Sequence, residues 1–302
     1  MSSHSTTTSS RDGRPEEVPE RTSSGTTDGS DSLPDRQTIV QLSSWLLEHR
    51  PVVVALSGGV DSALMAAISV EVLGSDAVAV TGISASLSHE EQQAARLSAR
   101  IAGIRHLEVA TSELSRPGYR ANAGDRCYHC KSELYDVILS VEELAQHTII
   151  DGAQASDDSG DRPGMKASGE RGVKSPLRQF GIDKPQVREM ALRRGLPSWD
   201  RPARPCLASR VPVGTEVDRR LLQQIEALEA LLSGEGFSIY RARCGGNRVV
   251  VEIDLEQLDQ CADDRWRQRF EALARSLGIS ECWLDARGYG GPGPARLEPL
   301  IG

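Results

Sequence analysis

The segment LSGGVDS, residues 56–62, sets two glycines and three small polar side chains between a β-branched run, PVVVAL (51–56), and an amphipathic helical pattern, DSALMAAISVEVLG (61–74). Glycines at such a junction let backbone N–H groups close around phosphate oxygens, and the following helix N-terminus adds positive potential. The segment has neither the G-K-[ST] of a Walker loop nor the G-x-G-x-x-G of a dinucleotide fold. An ordinary strand-to-helix turn shares the glycines but not the full S-G-G-x-D-S. A second chemical signal is the C-x-x-C pair Cys127 and Cys130, placed just ahead of a helix in GDRCYHCKSELYDVI (124–138). Two thiols at this spacing can bind zinc, cycle as a disulfide, or hold part of an iron–sulfur cluster, and the spacing does not decide among them. Cys206 lies in RPCLASR with Arg204 and Arg210 close by. Neighbouring cations are expected to lower its thiol pKa and favour a reactive thiolate. Cys244, Cys261 and Cys282 fall within predicted strands and a helix near the C-terminus and read as buried small hydrophobes.

These groups need a scaffold. Helical spacing in TIVQLSSWLLEH precedes the first strand. The strands AVAVTGIS, RHLEVA and HTIIDGA then alternate with helices over 88–103, where Ser88 and Glu91 are spaced as a capping box, and over 131–146. Alternation of this kind predicts an α/β fold, a doubly wound parallel sheet with helices on both faces. From 152 to about 183 the periodicity breaks into Gly, Asp and Pro, which is expected of an active-site segment in a compact enzyme. A short helix is expected over 184–194, then a second irregular stretch. The remainder reads as a small α+β unit, with a helix over 218–235, strands FSIYRAR and RVVVEID, a helix over roughly 255–277, and a strand ECWLDA. The expected organisation is a disordered tail over 1–36, a nucleotide-binding domain over 37–205 and a C-terminal α+β domain over 206–302 that serves substrate binding or oligomerisation. The tail is rich in Ser, Thr, Gly and charge and offers little apolar surface to offset its ordering entropy.

The chain has 302 residues, 43 acidic against 35 basic side chains, and a net charge of −8. That balance disfavours a nucleic-acid substrate and leaves small molecules favoured. No apolar run spans a bilayer and no signal-peptide core is present, so a cytoplasmic protein with no membrane partner is expected. Six cysteines without a secretory signal read as metal-binding, catalytic or buried thiols.

The phosphate loop resembles the signature of the PP-loop ATP pyrophosphatases. That resemblance implies cleavage of ATP to AMP and pyrophosphate, with AMP transferred to a substrate oxygen. Ser57, Gly58, Gly59, Val60 and Ser62 would hold the pyrophosphate, and Asp61 would assist with the metal or with positioning. Taken with RCYHCKSELY, DGAQASDDSGDRPGMKA, VKSPL, GLPSWDRPARPCLASR and VPVGTEV, the chain resembles one subfamily closely, the LarE family of ATP-dependent sulfur transferases. The implied reaction adenylylates a carboxylate of pyridinium-3,5-biscarboxylic acid mononucleotide and converts it to a thiocarboxylate for the nickel-pincer cofactor of lactate racemase. The family implies two sulfur sources. In one, a cysteine at the position of Cys206 gives up its own sulfur. In the other, Cys127, Cys130 and Cys206 hold a [4Fe–4S] cluster, with the fourth iron free to carry a sulfide supplied by a sulfur donor. The presence of all three cysteines favours the second. Zinc is the alternative and would need a fourth ligand such as His129 or water. The resemblance also implies a homo-oligomer, a hexamer.

Other residues acquire candidate roles in this frame. Asp151 ends the fourth strand, where open α/β sheets place ligands. Asp157, Asp158 and Asp161 are candidates for Mg²⁺, or solvated turn residues. Arg210 and the Arg241/Arg243 pair are candidates for the mononucleotide phosphate; the pair alternates on a strand and so shares a face. Trp199 either stacks on the pyridinium ring or packs. A tRNA thiolase, an amidotransferase and a nucleotide-binding module without turnover remain as competing functions. The acidic balance argues against the first, and the three cysteines go unexplained by the second.

Overall fold

In the computed structural model, Val52, Val53 and Val54 are fully buried, and alternate valines feed opposite sides of one sheet. Val52 and Val54 join one apolar cluster and Val53 the other. This is the period-2 geometry of a strand covered on both faces. The structure describes Pro34, residues 36–157 and residues 163–300. Nearly all of the tail expected over 1–36 lies outside the described residues, as do Asp158 and Asp161.

The chain begins with α1 (Arg36–Glu48), β1 (Val52–Ala55), α2 (Val60–Leu73), β2 (Ala77–Ile83), α3 (His89–Ala102) and β3 (Arg105–Ala110). It continues through α4 (Pro117–Ala121), α5 (Arg126–Ser140), β4 (Thr148–Ile150), α6 (Pro163–Glu170), α7 (Pro176–Gln179) and α8 (Lys184–Arg193). The first sheet has the order β3-β2-β1-β4 with every pairing parallel. The chain moves outward from β1 to β3 and then returns to the other side of β1 with β4. The ends of β1 and β4 therefore form a topological switch point, where ligands bind in such sheets.

The C-terminal part comprises α9 (Arg219–Gly234), β5 (Tyr240–Gly245), β6 (Arg248–Ile253), α10 (Asp264–Ser276), β7 (Glu281–Asp285) and β8 (Leu297–Pro299). Its mixed sheet runs β5-β6-β7-β8. An apolar cluster on this side gathers α9, α10 and the sheet, and also takes in Tyr119 of α4 with Leu207, Ala208 and Val211. Cys244 and Cys261 are buried in it and Cys282 packs against it, as read from the sequence. Burial pushes these thiols up, Cys244 to about 12 and Cys261 and Cys282 to about 11.

Four sequence expectations change. α2 is buried almost all round, Val60 and residues 62–69 alike, because it lies between the sheet and α1, α3 and α8. The irregular stretch 152–183 contains α6, whose pattern is masked by Gly and Ser, and α7, a single turn too short to show a pattern. The single helix expected over 255–277 is split by Asp263, whose side chain accepts from the Arg265 N–H and caps α10. The capping box at Ser88 is half formed. Ser88 Oγ accepts from Glu91 N at 3.3 Å, but the Glu91 carboxylate turns instead to Arg201 at 2.6 Å. No helix among the described residues is long and apolar enough to cross a membrane.

Candidate active site

The phosphate loop turns between β1 and α2 with Gly58 at φ +86°, a conformation that a Cβ strains. A Cβ there would also meet the Glu91 carbonyl oxygen at 2.9 Å, so the loop is packed against the first turn of α3. Gly59 is the N-cap of α2 and Val60 its first residue. Ser62 Oγ donates to Gly59 O at 3.1 Å and accepts from Ser57 N at 3.1 Å, which draws the loop into a closed turn. Asp61 is held by Lys184 Nζ through both carboxylate oxygens, at 2.8 and 2.6 Å. The lysine is the first residue of α8, 123 positions away, and nothing local in the sequence signals the pairing.

Across the switch point, Gly152 follows β4. A Cβ on it would lie 2.5 Å from Ser62 N and 2.7 Å from the Asp61 carbonyl carbon. Backbone cannot yield at that distance, so Gly152→Ala is expected to displace the phosphate loop. Because misplacement by about 1 Å can cost roughly a hundredfold in rate, ATP cleavage should fall by about that factor while far-UV circular dichroism stays native. An ATPase assay beside a melting curve checks this.

A cavity of about 570 Å³ opens over these residues, and its walls include Ser57, Asp61 and Ser62 of the loop together with Cys127, Cys130 and Cys206. All three thiols that sequence reasoning singled out thus share one cavity with the phosphate loop. The C-x-x-C pair is not ahead of the helix but in it. α5 begins at Arg126, and the i,i+3 spacing sets both cysteines on one face of its first turns. Gly164 of α6 sits against Lys131 and Cys127 and covers that face. Lys131, Tyr135 and Asp151 also line the cavity. Asp151 accepts from Ser175 Oγ at 2.6 Å and lies 3.3 Å from Lys131 Nζ. Burial opposes the charge of Lys131, but Tyr135 and Asp151 more than offset it and hold its pKa above the ordinary value. Lys131 therefore stays a cation at the cavity wall. Its place immediately after Cys130 was a signal that the sequence reading passed over.

Cys206 reaches the cavity from a segment fastened on both sides. Arg201 and Arg204 pair with Glu91 and Glu90 of α3, and Leu207 N donates to Ser86 O at 2.9 Å. On the other side Arg210, 4% exposed, forms a bidentate pair with Glu229 of α9 at 2.7 and 2.9 Å. Its remaining nitrogen donates to Pro205 O at 2.5 Å and Ser209 Oγ at 2.9 Å. Every donor nitrogen of Arg210 is thus engaged within the chain, and the residue anchors the cysteine segment. Arg210→Met strands the Glu229 charge in the interior and should cost about 3–5 kcal/mol of stability, read from urea unfolding.

The expected low pKa of Cys206 is not met. The thiol has open surface toward the cavity, but the surrounding protein and the neighbouring Cys127 push its pKa up. Arg126 and Arg210 oppose this without reversing it, since Arg210 is committed to Glu229 and Arg204 to Glu90. Cys130 is also raised, by burial, Glu113, Cys206 and Cys127. Thiols held protonated by burial, as Cys130 and Cys206 are, are suited to a cationic group that they could share with Cys127, since coordination removes such protons outright. Among the described residues no three or more His, Cys, Asp or Glu side chains converge as a preformed single-ion site. His129, the suggested fourth zinc ligand, turns away from the cavity, packs on Gly118 and meets Asp125 at 3.1 Å. The thiols nonetheless suit a cluster as a donor set, because a cluster spreads its ligands over several irons.

The other candidates divide. Asp157 lines the cavity, and its carboxylate accepts from Gln154 N at 3.0 Å. Arg241 and Arg243 share a face of β5, as expected, but neither lines this cavity. Arg241 lies 4.6 Å over the Tyr289 ring, and Arg243 pairs with Glu252. Trp199 is half-exposed outside it, with its carbonyl bound by Arg188.

A parallel α/β sheet whose first strand ends in S-G-G-x-D-S over a switch-point cavity defines a PP-loop nucleotide-binding domain. A family model described as NAD synthase matches residues 46–119, the span from α1 to α4. The chain is 40% identical over 237 residues to the uncharacterized protein slr1717 of Synechocystis, an alignment covering 78% of this chain and 88% of that protein. It is 29% identical over 246 residues to the pyridinium-3,5-bisthiocarboxylic acid mononucleotide synthase of Lactiplantibacillus plantarum, covering 81% and 88% of the two chains. The chain thus has an NAD synthase-type PP-loop domain and is similar over most of its length to a LarE sulfur transferase.

Proposed function

We propose that this protein is an ATP-dependent sulfur transferase that converts a carboxylate of pyridinium-3,5-biscarboxylic acid mononucleotide to a thiocarboxylate. The observation that carries the reading is the single cavity in which the phosphate loop faces Cys127, Cys130 and Cys206. The similarity to the mononucleotide synthase supports the substrate class.

In this reading Ser57, Gly58, Gly59, Val60 and Ser62 hold the β- and γ-phosphates of ATP through backbone N–H groups and hydroxyls at the start of α2. Asp61 and Asp157 both line the cavity and would help to hold Mg²⁺, which would screen the phosphate charge. Lys131 supplies a fixed cation at the opposite wall. A substrate carboxylate oxygen attacks the α-phosphorus and pyrophosphate leaves, giving an acyl adenylate. A sulfur nucleophile then attacks the acyl carbon and AMP leaves with the original oxygen. Cys127, Cys130 and Cys206 would hold a [4Fe–4S] cluster, which supplies a site for a transferable sulfide when bound. The chain's own task is to keep that site beside the phosphate loop and to exclude water, which would otherwise hydrolyse the adenylate.

The test is pyrophosphate release under anaerobic conditions. Release should depend on the pyridinium dicarboxylate mononucleotide and not on ammonia or tRNA. Release stimulated by tRNA instead would move the protein to the thiolases.

A further inference from the structure

The first turn of α3 carries a carboxylate that takes no part in the reaction above. Glu91 follows the N-cap Ser88 by three positions, where a capping box would return its side chain to the Ser88 N–H. The carboxylate goes instead to Arg201, 110 residues away, at 2.6 Å, and Glu91 is 7% exposed. Burying that charge is costly and is repaid only by a well-placed cation. The helix also forgoes half of its cap. A residue that breaks a local rule at such cost marks a use beyond its own helix.

The backbone of the same residue bears on the phosphate loop. A Cβ at Gly58 would meet Glu91 O at 2.9 Å and Ala95 N at 3.1 Å, so the loop lies on α3 with no room for a side chain between them. Glu91 therefore meets the phosphate loop with its main chain and the Cys206 segment with its side chain. Neighbouring contacts repeat the connection. Glu90 pairs with Arg204, which also donates to Tyr240 Oη at 2.9 Å. Leu207 N donates to Ser86 O at 2.9 Å, and His89 N donates to Glu226 of α9 at 2.7 Å. Residues 86–91 thus join the phosphate loop, the segment bearing Cys206 and the C-terminal helix α9.

We propose that Glu91, acting with Arg201, is a positioning residue that transmits nucleotide occupancy of the phosphate loop to the Cys206 segment. Phosphate held by the loop restrains it, the restrained loop leaves the Glu91 backbone less freedom, and Arg201 passes that restraint to residues 201–207. Ordering one packed neighbour lowers the ordering cost that remains for the next, and no change of mean structure is required. By reciprocity, an ordered Cys206 segment raises the affinity for nucleotide. The wall that carries Cys206 is then firmest while a nucleotide occupies the site. The inference rests on the reading of the loop as an ATP site, and its test separates the two.

Hydrogen exchange followed by mass spectrometry is compared in wild type, Glu91→Gln and Glu91→Gln/Arg201→Gln, each as the full chain. The double variant removes both charges, so it leaves no buried ion unpaired if the single variant unfolds. Exchange is measured with and without Mg²⁺ and α,β-methylene ATP, an analogue that cannot release pyrophosphate. In wild type the analogue should slow exchange over residues 56–62, and should slow the Leu207 amide about fivefold, the low end of site-to-site coupling. Both variants should keep the protection at 56–62 and lose it at Leu207. A purely structural pair would speed exchange of the segment alike with and without the analogue and leave the ratio unchanged, which overturns the proposal. Protection confined to 56–62 in wild type also overturns it and leaves the nucleotide reading standing. Protection at neither segment overturns both.

Discussion

Cys206→Ala is expected to abolish thiocarboxylate formation while leaving substrate-dependent pyrophosphate release within about threefold of wild type, since the phosphate loop does not rely on that thiol. Cys206 comes from the segment before α9, whereas Ser57, Asp61 and Ser62 come from the β1–α2 turn, and the two meet only across the cavity. The segment is held in place by Arg201, Arg204 and Arg210 through their acidic partners, none of which involves the cysteine side chain. Removing the sulfur therefore leaves its frame standing. The acyl adenylate should then accumulate or hydrolyse, and AMP should still appear. Coupled pyrophosphate measurement with mass spectrometry of the products separates the two half-reactions. Loss of both together would place Cys206 in the ATP site rather than in sulfur delivery.

Asp61→Ala should do the reverse. The Asp61 carboxylate sits in the first turn of α2, paired to Lys184 and facing the cavity. Without it, the lysine loses its partner, and in the proposed reading Mg²⁺ would lose a ligand at the point where pyrophosphate charge develops. Groups of this kind are worth roughly a hundredfold to a thousandfold in rate. Pyrophosphate release should fall by that factor, and Ser62→Ala should follow it to a lesser degree because the turn loses its internal hydrogen bonds. Iron content after anaerobic reconstitution should stay at the wild-type level, since neither residue belongs to the cysteine helix or to the Cys206 segment. Thiol alkylation rates should likewise be unchanged.

The parallel sheet was legible because Val52–Ala55 and Ala77–Ile83 are buried on both faces and read as continuous apolar runs. The phosphate loop was legible for a related reason: its glycines and hydroxyls act locally, within a few residues. The short helices α6 and α7 were not, because α6 is interrupted by Gly and Ser, α7 is a single turn opened by Pro176, and both are held by α5 and the β4 loop rather than by propensity. Electrostatic roles were the least legible. The proximity of Arg204 and Arg210 to Cys206 in sequence suggested an activated thiolate. In space both guanidiniums are neutralised by Glu90 and Glu229, which lie 114 and 19 residues away. Gly152 likewise acquires its importance only from the close approach of Ser62, and that contact is a property of the folded sheet.

The most direct test of the central claim is one anaerobic reaction with ATP, Mg²⁺, the pyridinium dicarboxylate mononucleotide and isotopically heavy sulfide, using reconstituted protein. The masses of the product and of the intact chain are recorded before and after turnover. The account predicts a product in which heavy sulfur replaces a carboxylate oxygen, with an unchanged mass for the chain. A chain lighter by the mass of H₂S, with no heavy sulfur in the product, would contradict delivery through the three cysteines. A product that carries no sulfur at all, despite release of AMP and pyrophosphate, would contradict sulfur transfer itself.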